Sequence, residues 1–533
     1  MKVLLCMVYS EALDERHEEL GICSIAAFLR SKEMDVKLLG QTEHRLLNSI
    51  EDILEFNPDI IGFPIYNLSR DAVYNVIKKV KQKLSSVKVV VGGYYPTYFS
   101  KKILEENQLI EYVIRGEGEL SFYKLIQAIE TQKEFDRVPG LSYRDGKEIK
   151  ENENMDLIDD LNELPFPSRD MLVENKLKIA QVFSSRGCIR RCSFCCSNDF
   201  WKGKWRGKDP QIFVDELEMI VKKYNVKKFF IIDNSFEDPG FNLKRLESIA
   251  QEIIKRKLKI SYHCNFRAEL SRKISRHLLE LLVESGLCSI LYGYEAANEH
   301  DLKIYNKYAT IEDNVKAIEI CKGLPIVIQI GFINFNPYST FDSLRMNLKF
   351  LEQYNHCTLY NIASRVMIFS GASIKERLKK DGLFIDDTPF GYRYVDQRIE
   401  WLIGYISSYM QSLNKMGYGP DRFYYYKVNH TNMLSHEKKH FFHEKKYTEY
   451  NIISVHEARI NKIFYEFGHR NALWFSKLLK LAEEKWNESE AEAIMSEYLN
   501  YEYVKHIAAE IDKDIANTYS NLKEICTEYD FLY

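Results

Sequence analysis

The chain has 533 residues, with Lys+Arg 74 against Asp+Glu 77 and a formal net charge of −3. That length exceeds one ordinary hydrophobic core and points to two or three domains, while the charge balance excludes a polycation built to coat nucleic acid. Hydrophobic residues make up 45%, but no apolar run approaches the ~18 residues that a bilayer requires, which excludes a helical membrane span.

Residues 1–130 alternate strand and helix. Strands are predicted over 2–9, 36–39, 59–66, 87–91 and 112–114, and Leu20, Ile22, Ile25, Ala26, Phe28 and Leu29 recur at helical spacing after the first. Apolar strands separated by helices specify a doubly wound, Rossmann-like parallel sheet. Such sheets bind ligands at the carboxyl ends of their strands. There stand Gly92-Gly93-Tyr94-Tyr95-Pro96-Thr97 and Arg115-Gly116-Glu117-Gly118-Glu119, whose glycines leave room for a bulky ligand. Residues 131–177 read as a connector, with a small hairpin turned by Asp145-Gly146 and an extended Leu164-Pro165-Phe166-Pro167.

From residue 178 the alternation resumes. Six strands, over 179–184, 228–233, 260–266, 289–294, 326–335 and 359–369, alternate with helices over 178–384, an order that fits the partial (β/α)6, TIM-like barrel of the superfamily that the cysteine loop in this segment resembles. Chemistry in α/β barrels collects at the strand C-termini. The first strand delivers Ser184-Ser185-Arg186-Gly187-Cys188-Ile189-Arg190-Arg191-Cys192-Ser193-Phe194-Cys195. Three thiols spaced C-x3-C-x2-C can wrap one face of a small metal centre. Four-iron clusters ordinarily take four cysteines, so three leave one iron open for a ligand. A zinc site would need a second cysteine knuckle, and a ferredoxin would need C-x2-C-x2-C-x3-C; neither is present. Cys196, adjacent to Cys195, reads as a packed thiol. The remaining cysteines (Cys6, Cys23, Cys264, Cys288, Cys321, Cys357 and Cys526) form no disulfide framework, so a reducing cytoplasm is the expected compartment.

Residues 385–533 lose strand periodicity and read as mainly helical. A basic, aromatic stretch runs from Arg422 to Lys427 and from His436 to Lys446. It reads first as a solvated helical face, and second as a grip for a substrate. His436, His440 and His443 lack a matching carboxylate or thiol and are not expected to hold a metal.

The C-x3-C-x2-C spacing, with Phe194 just before the third cysteine, resembles the radical S-adenosylmethionine (SAM) superfamily. The resemblance implies a [4Fe-4S] cluster held by Cys188, Cys192 and Cys195, with SAM on the open iron and its cleavage to a 5′-deoxyadenosyl radical. It also implies SAM contacts at Asp233, Asn234 and Ser235 after the second strand and at Arg267 after the third. Glu295, in Tyr292-Gly293-Tyr294-Glu295, and Gly331 follow on the fourth and fifth strands. Ion pairs with Glu269 and Lys307 are the alternative employment of Arg267 and Glu295. The family's Gly-Gly-Glu triplet is missing here.

The N-terminal half resembles the cobalamin-binding domain that precedes the radical SAM domain in one large subgroup. Glu19-Leu20-Gly21, the Gly92–Thr97 stretch and the Arg115–Glu119 stretch carry that likeness, which implies cobalamin contacts at Gly92, Gly93, Tyr94, Pro96 and Glu117. The D-x-H-x-x-G motif that places a histidine under cobalt is absent: Asp14, His17 and Gly21 have the wrong spacing.

The expected activity is therefore cobalamin-dependent radical SAM methylation of an unactivated carbon. Rearrangement or cyclisation with the same cofactors is the first alternative, and a non-catalytic corrinoid or redox sensor the second. Methylthio transfer is disfavoured, because the extra cysteines of those relatives are absent. Expected partners are a small-molecule or peptide substrate, selected by residues 385–533, and an electron donor such as flavodoxin or ferredoxin, with no nucleic acid.

Overall fold

The computed structural model describes residues 1–9, 17–153, 156–240, 242–425 and 447–525. The chain divides into two compact units. One comprises Met1–Ile189, Cys195–Ile260 and Phe369–Ala372; the other comprises Arg190–Phe194, Ser261–Ile368 and Ser373–Tyr533. Among the described residues no helix is long and apolar enough to cross a membrane.

The first unit is built on β1 (Lys2–Tyr9), which is buried from Val3 onward. A parallel strand covered on both faces carries a continuous apolar run rather than an alternating one. Its two side-chain sets serve two cores. Val3, Leu5, Met7 and Tyr9 pack with Leu20–Arg30 and Glu119–Thr131, whereas Leu4, Cys6 and Val8 pack with Arg70–Lys83 and Tyr94–Glu106.

Four further strands run parallel to it: β2 (Asp35–Thr42), β3 (Ile60–Pro64), β4 (Lys88–Gly92) and β5 (Tyr112–Ile114), in the order β2-β1-β3-β4-β5. The order reverses between β1 and β3, which opens a crevice at their carboxyl ends. The hairpin expected near Asp145-Gly146 forms from β6 (Leu141–Asp145) and β7 (Glu148–Glu151), and it extends this same sheet antiparallel to β5.

The rest of this unit holds β8 (Ile179–Val182), β9 (Ser185–Gly187), β10 (Trp205–Gly207) and β11 (Lys228–Ile231). β8 pairs parallel with β11, and β9 pairs antiparallel with β10. Gly187 closes the β9–β10 pair: its φ is +98°, and a Cβ there would lie 2.1 Å from the Lys204 carbonyl oxygen. Helix Pro210–Tyr224 starts where Asp209 accepts the Gln211 N–H with proline at the first turn, and stops at left-handed Asn225.

In the second unit β12 (Ser261–Arg267), β13 (Leu287–Glu295) and β14 (Val327–Phe332) run parallel. Capping boxes at Thr310/Asp313 and Thr340/Ser343 set the starts of Ile311–Cys321 and Phe341–Gln353. The β13–β14 ladder slips between Gly293 and Glu295, and Glu295 takes a φ of +64°.

One expected strand fails. Residues 359–369 do not form a sixth strand: Leu359–Ala363 is a helix, and Arg365 makes only an isolated bridge to Phe335. The cause is local, because the Thr358 hydroxyl accepts the Asn361 N–H at 3.1 Å and so starts a helix turn.

The remaining described chain is helical as expected, in Gln397–Lys415, Tyr447–Glu484, Glu488–Tyr498 and Tyr501–Ile525. Trp474, Phe475 and Leu478 in Tyr447–Glu484 and Val504, Ala508 and Ile511 in Tyr501–Ile525 recur at helical spacing and are fully buried, and the two helices pack together. Most of the basic, aromatic stretch, with His436, His440 and His443, lies outside the described residues, as do Asp14 and Cys526. Arg422 is described, and its guanidinium pairs with Asp512 at 2.8 Å.

Candidate active site

A cavity of about 370 Å³ opens at the carboxyl ends of β3, β4 and β5 and beside Leu5 of β1 in the first unit. Gly92, Gly93, Tyr94 and Glu117, four of the five expected cobalamin contacts, line it; Pro96 is buried nearby but does not. Gly93 has a φ of +97°, which only glycine adopts without strain. A Cβ there would lie 3.5 Å from the Ile65 carbonyl oxygen. Tyr94 packs on Phe200 with ring centroids 4.3 Å apart. Phe183, Ser185, Arg186, Phe200, Trp201 and Asn234 also line it, so residues flanking the cysteine loop form part of this wall.

Arg186 joins the two halves of that wall. It donates from Nη1 to Glu117 Oε1 and from Nη2 to Glu119 Oε1, each at 2.7 Å, and also from Nη2 to Ser24 Oγ at 3.2 Å. Arg206, in β10, donates to Glu117 Oε2 at 2.9 Å, and the Ile158 N–H donates to the same oxygen at 2.8 Å. Burial would raise the Glu119 carboxyl, but the Arg186 guanidinium outweighs it and holds the group below the usual glutamate range. The Glu117 carboxylate thus serves as a tie between segments. Only its position on the wall remains for a ligand.

A second buried network braces the same unit. Arg169 donates to Glu18 Oε2 at 2.8 Å and to Glu216 Oε1 at 2.6 Å, while Lys208 donates to Glu216 Oε2 at 2.7 Å. All four side chains are at most 2% exposed, and two cations balance two carboxylates.

Asp233, just past β11, fastens the end of β8. Its Oδ1 accepts the Ser184 N–H at 2.8 Å, and its Oδ2 accepts the hydroxyls of Ser184 at 2.5 Å and Ser185 at 2.7 Å. Burial raises its carboxyl, with the Ser184 hydroxyl and Arg245 opposing. The structure therefore employs Asp233 in orienting the strand that leads into the cysteine loop. Asn234 Nδ2 donates to Ser197 Oγ at 3.0 Å and faces the cavity. The Ser235 hydroxyl is buried with no hydrogen-bond partner among the described residues, a polar atom still open to a ligand.

The side chains of Cys188, Cys192 and Cys195 are half-buried. The loop backbone is held from several sides: Asn198 donates to the Cys188 carbonyl at 3.2 Å, Ser193 N–H to the Tyr305 carbonyl at 2.8 Å, and Ser193 Oγ to the Ile304 carbonyl at 2.7 Å. Phe194 meets Tyr305 edge-on with centroids 5.5 Å apart. Among the described residues no three His, Cys, Asp or Glu side chains converge as a ready-made metal site. Soft sulfur donors on an anchored loop fit an iron–sulfur cluster in chemistry and spacing.

In the second unit Glu295 and Gly331 come together at the ends of β13 and β14. A Cβ on Gly331 would lie 3.5 Å from Glu295 Oε2. Lys307 donates to Glu295 Oε1 at 3.2 Å, so the lysine partner is realised. Burial raises the Glu295 carboxyl, with Lys307 opposing. Arg267, at the end of β12, lies 4.0 Å from the Glu269 carboxylate, which pairs with Arg190 at 2.8 Å.

Sequence reasoning missed Arg186, Arg206, Glu119 and the Arg169 network as structural ties. The Glu-Gly-Glu alternation after β5 was visible; its arginine partners, some 70 to 90 residues away, carried no local signal. A family model described as the B12 binding domain matches residues 8–126, and one described as the Radical SAM superfamily matches residues 182–349. An uncharacterized methyltransferase of Pyrococcus horikoshii is 28% identical over 365 residues, covering 66% of this chain and 78% of that protein. The anaerobic magnesium-protoporphyrin IX monomethyl ester cyclase of Rubrivivax gelatinosus is 30% identical over 317 residues. That match covers 57% of this chain and 56% of the cyclase, so the chain spans little more than half of that relative.

Among solved structures, the cobalamin-dependent S-adenosylmethionine radical enzyme OxsB, with aqua-cobalamin and S-adenosylmethionine bound, superposes with a TM-score of 0.69 at 19% identity, over 99% of this chain and 82% of that one. This likeness is one of fold. The two domain matches place the chain in the radical SAM superfamily, with a B12-binding domain ahead of its radical SAM domain.

Proposed function

We propose that this protein is a cobalamin-dependent radical SAM methyltransferase acting on an unactivated carbon. The observation that carries the reading is the shared wall of the β1–β5 cavity. Glycine-lined strand ends of the B12-binding fold and the segment that leads into the cysteine loop bound one space.

Together the bound cofactors supply a methyl carrier and a hydrogen-abstracting radical; the protein supplies binding, orientation and exclusion of water. Cys188, Cys192 and Cys195 hold the [4Fe-4S] cluster and leave one iron for SAM. Arg267 presents a fixed cation suited to a carboxylate, Gly331 leaves backbone open to a flat base, and Glu295 offers Oε2 beside its lysine-bound oxygen. Asn234 and Ser235 add polar contacts at the end of β11, on an edge that Asp233 holds rigid. Gly92, Gly93 and Tyr94 receive the corrinoid, with Pro96 shaping the turn behind them. Glu117 contributes through the wall that it ties together. The helical region over 385–533 selects the substrate, and a low-potential protein such as flavodoxin or ferredoxin delivers electrons.

The cyclase likeness supports a second reading: rearrangement or cyclisation with the same cofactors and no methyl transfer. Product analysis separates the two. Anaerobically reconstituted protein with SAM, cobalamin, reductant and substrate should release S-adenosylhomocysteine and 5′-deoxyadenosine together. Deoxyadenosine alone supports cyclisation or rearrangement, and release of neither, with both cofactors bound, overturns the enzyme reading in favour of a sensor.

A further inference from the structure

Glu19 precedes helix Leu20–Arg30 and lines the cavity. Tyr66, just past β3, lines it too and donates its hydroxyl to Glu19 Oε1 at 2.7 Å. The two residues follow β1 and β3, the neighbours between which the strand order reverses, so they sit where such sheets receive their ligand. The other acidic groups of the lining, Glu117 and Glu119, are tied to Arg186. Glu19 differs, in that its described partners, the Tyr66 hydroxyl and the Gly21 N–H, are both neutral.

A carboxylate in an apolar wall is costly unless a positive charge lies near it. Burial accordingly raises Glu19, with Tyr66 and the Gly21 amide opposing. A Co(II) corrin carries one positive charge and a Co(I) corrin none. An ionised Glu19 therefore suits the first state and a neutral Glu19 the second.

We propose that Glu19, held by Tyr66, takes up the proton that accompanies one-electron reduction of the corrinoid in this cavity. The proposal rests on the reading that cobalamin occupies the cavity. The step balances: one electron from a low-potential one-electron donor converts Co(II) to Co(I), and one proton from solvent converts the Glu19 carboxylate to the acid. The summed charge of cofactor and side chain is unchanged, so the apolar wall never faces an uncompensated charge.

The titratable groups beside Glu19 are buried or ion-paired. Burial raises Tyr66, Tyr94 and Cys23 well above their usual ranges. Glu117 and Glu119 are bound to Arg186, and Glu18 is bound to Arg169. His17 packs its ring edge-on against Tyr9 at 5.0 Å and does not line the cavity. A His17→Gln variant removes its titration from the measurement.

The test is spectroelectrochemical titration of the Co(II)/Co(I) couple in the full-length protein, loaded with cobalamin and desalted, from about pH 5 to about pH 9. The reduction equilibrium constant should fall about tenfold per pH unit across part of this range in wild type and in His17→Gln. It should be independent of pH in Glu19→Gln. A slope that persists in Glu19→Gln, or is absent from cobalamin-loaded wild type, overturns the proposal. Should Glu19→Gln fail to fold, Tyr66→Phe removes the donor to the carboxylate and should move the sloping region to higher pH; an unmoved region overturns the proposal equally. Desalted wild type that retains no cobalamin absorbance instead overturns the occupancy of the cavity, a separate outcome from a bound but pH-independent cofactor.

Discussion

Arg186 stands two residues before Cys188, and its guanidinium reaches Glu117, past the end of β5, at 2.7 Å. One side chain thus pins the entry to the cysteine loop to the ligand edge of the N-terminal sheet. The pairing is almost fully buried, with 12% exposure for the arginine side chain and 1% for the carboxylate. Buried ion pairs contribute little net stability when whole but are costly to break, because the partner left behind is a charge in a medium that solvates it poorly. Arg186 therefore acts chiefly to specify where the loop begins.

Replacing Arg186 with methionine leaves Glu117 with Arg206 alone and Glu119 with no described cation. The expected loss is about 3–5 kcal/mol of stability. Lysine keeps the charge but cannot fork to two carboxylates, so Arg186→Lys should fall between methionine and wild type. Urea unfolding followed by the fluorescence of Trp201 and Trp205 would measure both. A methionine variant as stable as wild type would remove the arginine from this role.

The same bridge predicts a pH dependence. Glu119 is depressed in the folded state, so its contribution to stability is complete above the unfolded glutamate range. That contribution is lost as pH falls through the depressed native value. The stability difference between wild type and Glu119→Gln should be constant near neutrality and shrink in acid. Denaturation midpoints for both proteins, taken from neutral pH down to about pH 3, should converge; parallel curves would contradict the bridge.

Much of the fold was legible because it rests on local pattern. β1 reads as one continuous apolar run because it is covered on both faces, and the cysteine spacing is a property of one loop. The sixth barrel strand was misread because an apolar stretch of that length is compatible with a short helix, and the Thr358 cap decides the matter. Asp233 was visible as a polar residue at a strand end. That it accepts from Ser184 and Ser185 depends on strand pairing, which a single chain read in order cannot supply. The arginine ties failed for the same reason, since a salt bridge across 69 residues leaves no periodic trace.

Two glycines with nearly the same positive φ should respond differently to alanine. At Gly93 a Cβ finds no backbone closer than 3.5 Å, so only the conformational cost applies, about 1–2 kcal/mol. At Gly187 the Cβ would overlap the Lys204 carbonyl oxygen at 2.1 Å, and the β9–β10 pair must open. Gly187→Ala should therefore be the more destabilising of the two and should lower iron incorporation on reconstitution, whereas Gly93→Ala should mainly weaken cobalamin retention. Thermal melts with iron and cobalamin counts on each variant would show the order; the reverse order would mean that the glycines do not shape these two sites.

Cys192→Ala should separate the two cofactors. The variant leaves two thiols where a four-iron cluster needs at least the three that this loop offers. Anaerobic reconstitution with iron and sulfide should then yield little of the broad visible absorbance of a cluster, and SAM cleavage should fall to background. The corrinoid cavity is lined by residues that do not include Cys192, and its glycines and arginine ties are untouched by the change. Cobalamin should therefore bind the variant in the same ratio as wild type. Loss of both cofactors from a variant that still melts cooperatively would mean that cluster assembly is a precondition for forming the corrinoid site. A full-strength cluster in the variant would mean that another thiol, Cys196 foremost, can replace the one removed.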